Sequence, residues 1–247
     1  MLEKLVEQGF EIEFHSHARA ILGVDFPQAV EEIEDALSDF SIPIDEIMSG
    51  GGGEAQGTQR LRRSLAKRGW AKTNFVVERR INNVPRESQS HEVDHVREFA
   101  DLGRIALEIE WNNKDPFFDR DLENYKRLHA DGAISVGVII TKGRSLHEGL
   151  RGAVTRFLEE REIKGFDCLS DWGYLPTPRQ RSLIETRMGR AANPMSFSEA
   201  FTGIYVSDKF GEATTHWRKL EDRVHRGVGN PCPLLLIGLP LSLIQFD

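Results

Sequence analysis

The sequence predicts an α/β protein, a single domain over residues 1–247 with a mixed central β-sheet flanked by helices. Three observations predict it. The stretch "AISVGVIIT" (133–141) is almost wholly apolar, the pattern of a strand covered on both faces. Helical stripes bracket it, with Leu122, Tyr125 and Leu128 before it and Leu150, Val154, Phe157 and Leu158 after it. Between residues 73 and 111, short β-rich segments alternate with turn signals, as in a meander.

Taken in order, "FEIEFHSHARAIL" (10–22) opens with strand alternation. "DFPQAVEEIEDALSDF" (25–40) predicts an amphipathic helix, with Pro27 near its start and Val30, Ile33 and Leu37 on one stripe. "SGGGGEAQGT" (49–58) predicts a flexible loop. It lacks the Lys-Ser/Thr ending of a phosphate-binding P-loop, which excludes that nucleotide site. Thr58 is placed to cap the helix "QRLRRSLAKRG" (59–69), whose inner stripe is Leu61 and Leu65 and whose end is Gly69. "TNFVVERRI" (73–81) predicts a strand, "NNVPRESQS" (82–90) a turn, "HEVDHVREF" (91–99) a short strand and "RIALEIEW" (104–111) the next. "FDRDLENYKRLHAD" (118–131) predicts a helix capped by Asp119, and Phe117 and Phe118 are expected in the core rather than against bases. After the central strand comes a second amphipathic helix (146–162), and the tail predicts a helix followed by one or two strands.

The longest apolar run, "CPLLLIGLPLSLI" (232–244), is too short to span a membrane and carries two prolines. No secretory signal is evident, and Cys168 and Cys232 form neither a metal motif nor a disulfide framework, so a cytoplasmic protein is expected. The net charge of −7 argues against nucleic acid as a partner, but the charge is unevenly spread. Residues 57–86 hold nine basic side chains against the single acid Glu78.

The chemistry is carried by Asp94, thirteen residues, Glu108, one residue and Glu110. On a strand, Glu108 and Glu110 share a face while Leu107, Ile109 and Trp111 share the other. An antiparallel neighbour would bring Asp94 beside them. Two unit charges about 4 Å apart repel by about 4 kcal/mol at an effective dielectric of 20. A fold stable by roughly 5–15 kcal/mol does not carry that unrelieved. Either a proton or a cation relieves it, and an all-oxygen set without cysteine selects a hard ion, Mg²⁺ above all. Glu-x-Glu also occurs as an ordinary solvent-facing stripe, so the Asp is what makes the pattern chemical.

In those residues the chain resembles the PD-(D/E)xK nuclease core, with Glu110 where the superfamily mostly has lysine. Across about residues 55–145 it is similar to the BglII/BstYI family of type II restriction endonucleases: "QGTQRLRRSLAKRGW", "HEVDHVREF", "ALEIEWNNKDPFFDRDL" and "VGVIITKG" correspond to segments of that family in order. The resemblance implies a restriction-endonuclease-like core over about residues 55–165. It implies that Asp94, Glu108 and the carbonyl of Ile109 hold the catalytic Mg²⁺, with hydrolysis leaving a 5′-phosphate and a 3′-hydroxyl. Glu110 would act as general base or as ligand to a second metal. The fourth polar residue would be Asn74, which follows Trp70 as in one branch, or Glu78, which precedes the Asp as in another. His91 and His95 flank Asp94 and are expected to pack or hydrogen-bond around it.

For DNA, the resemblance assigns Arg60, Arg63 and Lys67, with the helix start near Thr58, to phosphates, and Asn113 and Lys114 to the duplex beside the metal strand. Lys142, Arg144 and His147 follow the central strand and are also placed toward the duplex. A palindromic double-stranded site implies a homodimer, and a restriction enzyme implies a companion DNA methyltransferase. Two alternatives stay open at this point: a repair or structure-specific nuclease of the same superfamily, and a non-catalytic DNA-binding protein of the same fold.

Overall fold

The computed structural model describes residues 1–50 and 53–246, with residue 79 described by its backbone alone. Residues 51 and 52 of the expected glycine-rich loop, and the Arg79 side chain of the basic stretch, lie outside the described residues. The strands are β1 (Glu11–His15), β2 (Ile42–Pro43), β3 (Ala71–Ile81), β4 (Val84–Phe99), β5 (Gly103–Glu110), β6 (Val136–Lys142), β7 (Leu234–Leu239) and β8 (Ile244–Gln245). The helices are α1 (Glu3–Glu7), α2 (Ala18–Val24), α3 (Pro27–Ser38), α4 (Ile44–Met48), α5 (Gln56–Lys67), α6 (Pro116–Ala130), α7 (Arg144–Glu160), α8 (Pro178–Met188), α9 (Phe197–Phe210) and α10 (Trp217–His225).

Six strands form one mixed sheet in the order β1-β7-β6-β5-β4-β3, and β2 and β8 pair separately. The central β5, β6 and β7 run parallel to one another, whereas β4 is antiparallel to β5, β3 to β4 and β1 to β7. Strand alternation divides the core. Ile105, Leu107, Val138 and Ile140 face a layer that includes α3, α5, α7 and α9, while Ala106, Ile139 and Leu236 face α6 and α10. Every residue of β6 is buried, as its unbroken apolar run requires of a strand covered on both sides.

Gly137 in β6 shows how closely α6 lies on the sheet. A Cβ there would come within 2.3 Å of the Tyr125 ring, and the Tyr125 hydroxyl donates to the Val138 carbonyl at 2.9 Å. The ring is therefore held from both ends. Gly137→Ala is expected to destabilise the protein by about 1–3 kcal/mol through overpacking. A urea midpoint unchanged from that of the unmutated protein would contradict this.

Three local expectations are corrected. The stretch 82–90 is not a turn. Only Asn82 and Asn83 turn, with φ of 51° and 63°, a two-residue pattern that asparagine tolerates. Strand β4 then runs from Val84, and its outer half is exposed along with most of β3. That arm has polar residues on both faces, so it shows no apolar alternation. Thr58 does not cap α5: the helix begins earlier, with Ala55 at the N-cap and no side-chain cap. Asp119 likewise lies in the first turn of α6, whose N-cap is Asp115. Phe118 is core, as expected, while Phe117 is half-buried beneath the Arg120 guanidinium.

Candidate active site at a strand bulge

Strand β4 carries one extra residue opposite β3. Ala71 pairs with Val96 and Thr73 with Val93, so two steps on β3 face three on β4. Asp94 and His95 sit in this bulge. A bulge re-aims a side chain and is common beside functional sites. Here it lets Val93 and Val96 both enter the core while Asp94 stays exposed. His95 is buried, and its Nδ1 lies 3.2 Å from the Leu107 carbonyl, a packing and hydrogen-bonding role as expected.

The register of β4 against β5 continues from His95–Leu107, and the Asp94 amide donates to Glu108 Oε1 at 3.4 Å. The three acids are thus brought to adjoining backbone positions. Glu108 and Glu110 share a face, as strand alternation predicts, but they are buried: 5 % and 3 % exposed. Burial drives both carboxyls up, Glu108 to about 9 and Glu110 to about 8, and the nearby Asp121 adds to each. Asp94 contributes further to Glu108. Ile109, between them, turns its side chain to the opposite layer and offers the site only its backbone.

Asp121, on α6, is the site residue that the sequence reading missed. It is 1 % exposed, and burial raises its carboxyl too. It lies in hydrogen-bonding contact with Glu110, and its Oδ2 has no hydrogen-bond partner among the described residues. Arg120 Nη2 reaches Asp121 Oδ1 at 2.8 Å and Glu110 Oε1 at 3.6 Å. His91, half-buried, stands near enough for its charge to act on Asp121. The signal was present: Asp121 occupies a position between Phe118 and Tyr125 on a stripe where an apolar residue is expected.

The turn after β5 is fastened to the site. Asn113 Nδ2 donates to Glu110 Oε2 at 2.7 Å, and Thr141 Oγ1 donates to the Glu110 carbonyl at 2.7 Å. Lys142 does not reach toward a duplex, which corrects its expected placement. It is fully buried, and its Nζ donates to the Trp111 carbonyl at 2.8 Å, Asn112 Oδ1 at 3.1 Å and Thr214 Oγ1 at 3.3 Å. It ends a strand with no exposed residue, so its side chain has only the interior to enter.

The remaining expected residues are dispersed. Asn74 is exposed on β3 opposite Glu92. Glu78 lies opposite Ser88 and pairs with Arg80 at 2.9 Å. Ser88 is six residues from Asp94, roughly 20 Å along a strand, so the fold does not bring Glu78 to the three acids. Arg60 turns inward to pair with Glu46 and to donate to the Ser41 carbonyl at 2.9 Å. Arg63 is exposed and donates to Gln59, Lys67 is exposed, and Lys114 is exposed and bridges backbone to Thr214. Arg144 is held by Glu221.

A groove of about 860 Å³ opens over Asp94, lined among others by Gln56, Gln59, Arg62, Lys72, Asn112 and Asn113. The start of α5 borders it, and an uncapped helix N-terminus presents N–H groups suited to an anion. Lys72 stands 3.7 Å from Asp94 and 2.6 Å from Glu92. Asp94 lines the groove, and beside it lie the buried Glu108, Glu110 and Asp121, which do not line it; burial raises these three carboxyls, and Asp121 Oδ2 has no hydrogen-bond partner among the described residues. That set fits a hard divalent cation better than it fits an empty interior.

The sequence model of the family described as restriction endonuclease BglII/BglIII matches residues 10–239. No curated protein matches the chain. Among the described residues, no helix is long and apolar enough to cross a membrane.

Proposed function

We propose, starting from the fact that this chain belongs to the BglII/BglIII restriction endonuclease family, that it is a type II enzyme cleaving a short palindromic double-stranded DNA site in a Mg²⁺-dependent reaction. The observation that carries this reading is the bulge of β4. It sets Asp94 at the mouth of the groove while the antiparallel register keeps it beside the buried Glu108.

Asp94 and Glu108, with the Ile109 carbonyl, would hold Mg²⁺, which when bound supplies charge neutralisation at phosphorus and a nucleophilic water at neutral pH. Glu110 is oriented by Asn113 and Arg120. Its raised affinity for a proton suits it to accept one as the nucleophile forms. Lys72 brings a cation beside Asp94, within the groove, where a phosphate would approach. The first turns of α5, with Arg62 and Gln59 on the groove and Arg63 and Lys67 nearby, would bind phosphates without reading sequence. Asn112 and Asn113 lie on the groove wall, where base edges or backbone pass. A palindromic target calls for a two-fold dimer, and such an enzyme calls for a methyltransferase that protects the host's own sites.

The test is digestion of plasmid DNA with Mg²⁺ and with EDTA, using the intact protein and Asp94→Asn. Discrete fragments with 5′-phosphate ends are expected only from the intact protein with Mg²⁺. Cleavage that survives EDTA or Asp94→Asn sinks the reading. Cutting confined to nicks, flaps or mismatches replaces it with a structure-specific nuclease.

A further inference from the structure

A second cluster of metal-ligating side chains lies away from the candidate active site. His147 is in the first turns of α7, Glu212 is in the turn after α9, and His216 is the N-cap residue of α10. One ligand atom from each lies within 4.8 Å of the others. We propose that these three residues form a site for a transition-metal ion of the Zn²⁺ class, clamping the 211–216 turn to α7.

The distances support it. His147 Nε2 stands 3.5 Å from Glu212 Oε1, and His216 Nε2 stands 3.6 Å from Glu212 Oε2. Both are long for hydrogen bonds. Two ligand atoms each about 2.05 Å from one tetrahedral ion are about 3.3 Å apart, so the gaps are close to what a shared ion requires. A second observation is independent of these distances. His216 is 1 % exposed, and its Nε2 has no hydrogen-bond partner among the described residues; His147 Nδ1 has none either. A buried polar atom aimed at a cluster and left without a partner is costly unless something binds it.

The chemistry of the donors agrees. Two imidazoles and one carboxylate are a borderline set suited to Zn²⁺, unlike the all-oxygen set at Glu108. The imidazoles stack with centroids 3.9 Å apart and planes 9° from parallel, and each turns its Nε2 toward a Glu212 oxygen. Sharing one ion requires the rings to tilt about their Cβ–Cγ bonds, because each lone pair lies in its ring plane. Burial holds His216 down to about 4 and lowers His147 as well, so both are in the neutral, ligating form at neutral pH. Lys142 and Lys219 are the cations that act on His216. Burial brings Lys142 down to about 7, which lessens its opposition. Glu212 is mostly exposed and, with His216, borders an open cavity of about 490 Å³, leaving the fourth position to water.

The clamp would steady more than itself. Within the turn, the Ala213 carbonyl accepts from the Asp115 amide at 3.0 Å, and the Thr215 amide donates to the Asn113 carbonyl at 2.8 Å. The same turn therefore braces the segment whose Asn113 holds Glu110.

The full chain, dialysed free of metal and then held in excess Mg²⁺ to occupy the carboxylates at Glu108, is titrated with Zn²⁺ and separately with Co²⁺ in the absence of DNA. One ion per chain is expected, with Co²⁺ giving the intense visible bands of a four-coordinate complex. Glu212→Gln alters an exposed side chain and should weaken binding at least tenfold without disturbing the fold; His147→Asn should abolish the Co²⁺ bands. Glu108→Gln should leave both readouts unchanged, which separates this site from the Mg²⁺ site. Binding no tighter in the intact protein than in Glu212→Gln, or binding lost in Glu108→Gln, overturns the proposal. Absence of DNA cleavage bears only on the proposed function, since no readout here depends on it.

Discussion

Glu108→Gln is expected to abolish Mg²⁺-supported DNA cleavage and, in the same protein, to raise the melting temperature measured without metal. The loss of activity should be at least about 10²-fold, the order seen when one preorganised polar group is removed from an active site. The gain in stability follows from burial. In the folded chain the Glu108 carboxyl is pushed up to about 9, whereas unfolded it returns to an ordinary glutamate value. At pH below about 4.5 the carboxyl is protonated in both states, and the side chain's favourable contribution is fully present. As pH rises, the unfolded state releases its proton and the folded state does not, and about 1.4 kcal/mol is lost per pH unit until the folded carboxyl titrates near 9.

At pH 7 the accumulated penalty is about 3 kcal/mol, an upper bound because Glu110 and Asp121 titrate alongside. Glutamine has no such proton to hold. The melting difference between Glu108→Gln and the unmutated protein should therefore be near zero at pH 4 and reach several degrees at pH 7.5. An equal difference at both pH values would show that Glu108 is not desolvated. Adding Mg²⁺ should narrow the difference, because the ion stabilises only the protein that can bind it. The residues that serve the chemistry are thus those the metal-free fold holds least comfortably.

Lys142→Ala is expected to be the most destabilising single change near the site, by about 3–5 kcal/mol. Its Nζ donates to the Trp111 carbonyl, Asn112 Oδ1 and Thr214 Oγ1, and lies over the Trp111 and Phe210 rings at 5.7 and 5.6 Å. Removing it opens a cavity and strips those oxygens of their donor. Lys142→Met restores most of the volume but none of the donors, so it should recover only part of the loss. Denaturant midpoints separate the two contributions, and a Lys142→Ala midpoint near that of the unmutated protein would refute this account. Cleavage should fall further than stability in Lys142→Met, since the 111–113 turn it anchors carries Asn113 to Glu110.

The sequence by itself determined the α/β class, the buried central strand, the helical stripes and the shared face of Glu108 and Glu110. These follow from short-range periodicity, which a chain displays whatever its partners. It also carried the family, through the order of four segments around Asp94, Glu108 and Glu110. The tertiary structure alone decided three things. The bulge that turns Asp94 into the groove depends on the pairing of β3 with β4, not on any local signal. Asp121 joins the site because α6 packs across β5, and its acid within an apolar stripe gained meaning only from what it faces. Lys142 follows the central strand in sequence, which places it toward the duplex, but the fold does not. It points inward because its strand is covered on both sides and oxygens from two distant turns converge on it. Each of the three is a long-range pairing, and the first of them is where the groove meets the acids, through Asp94.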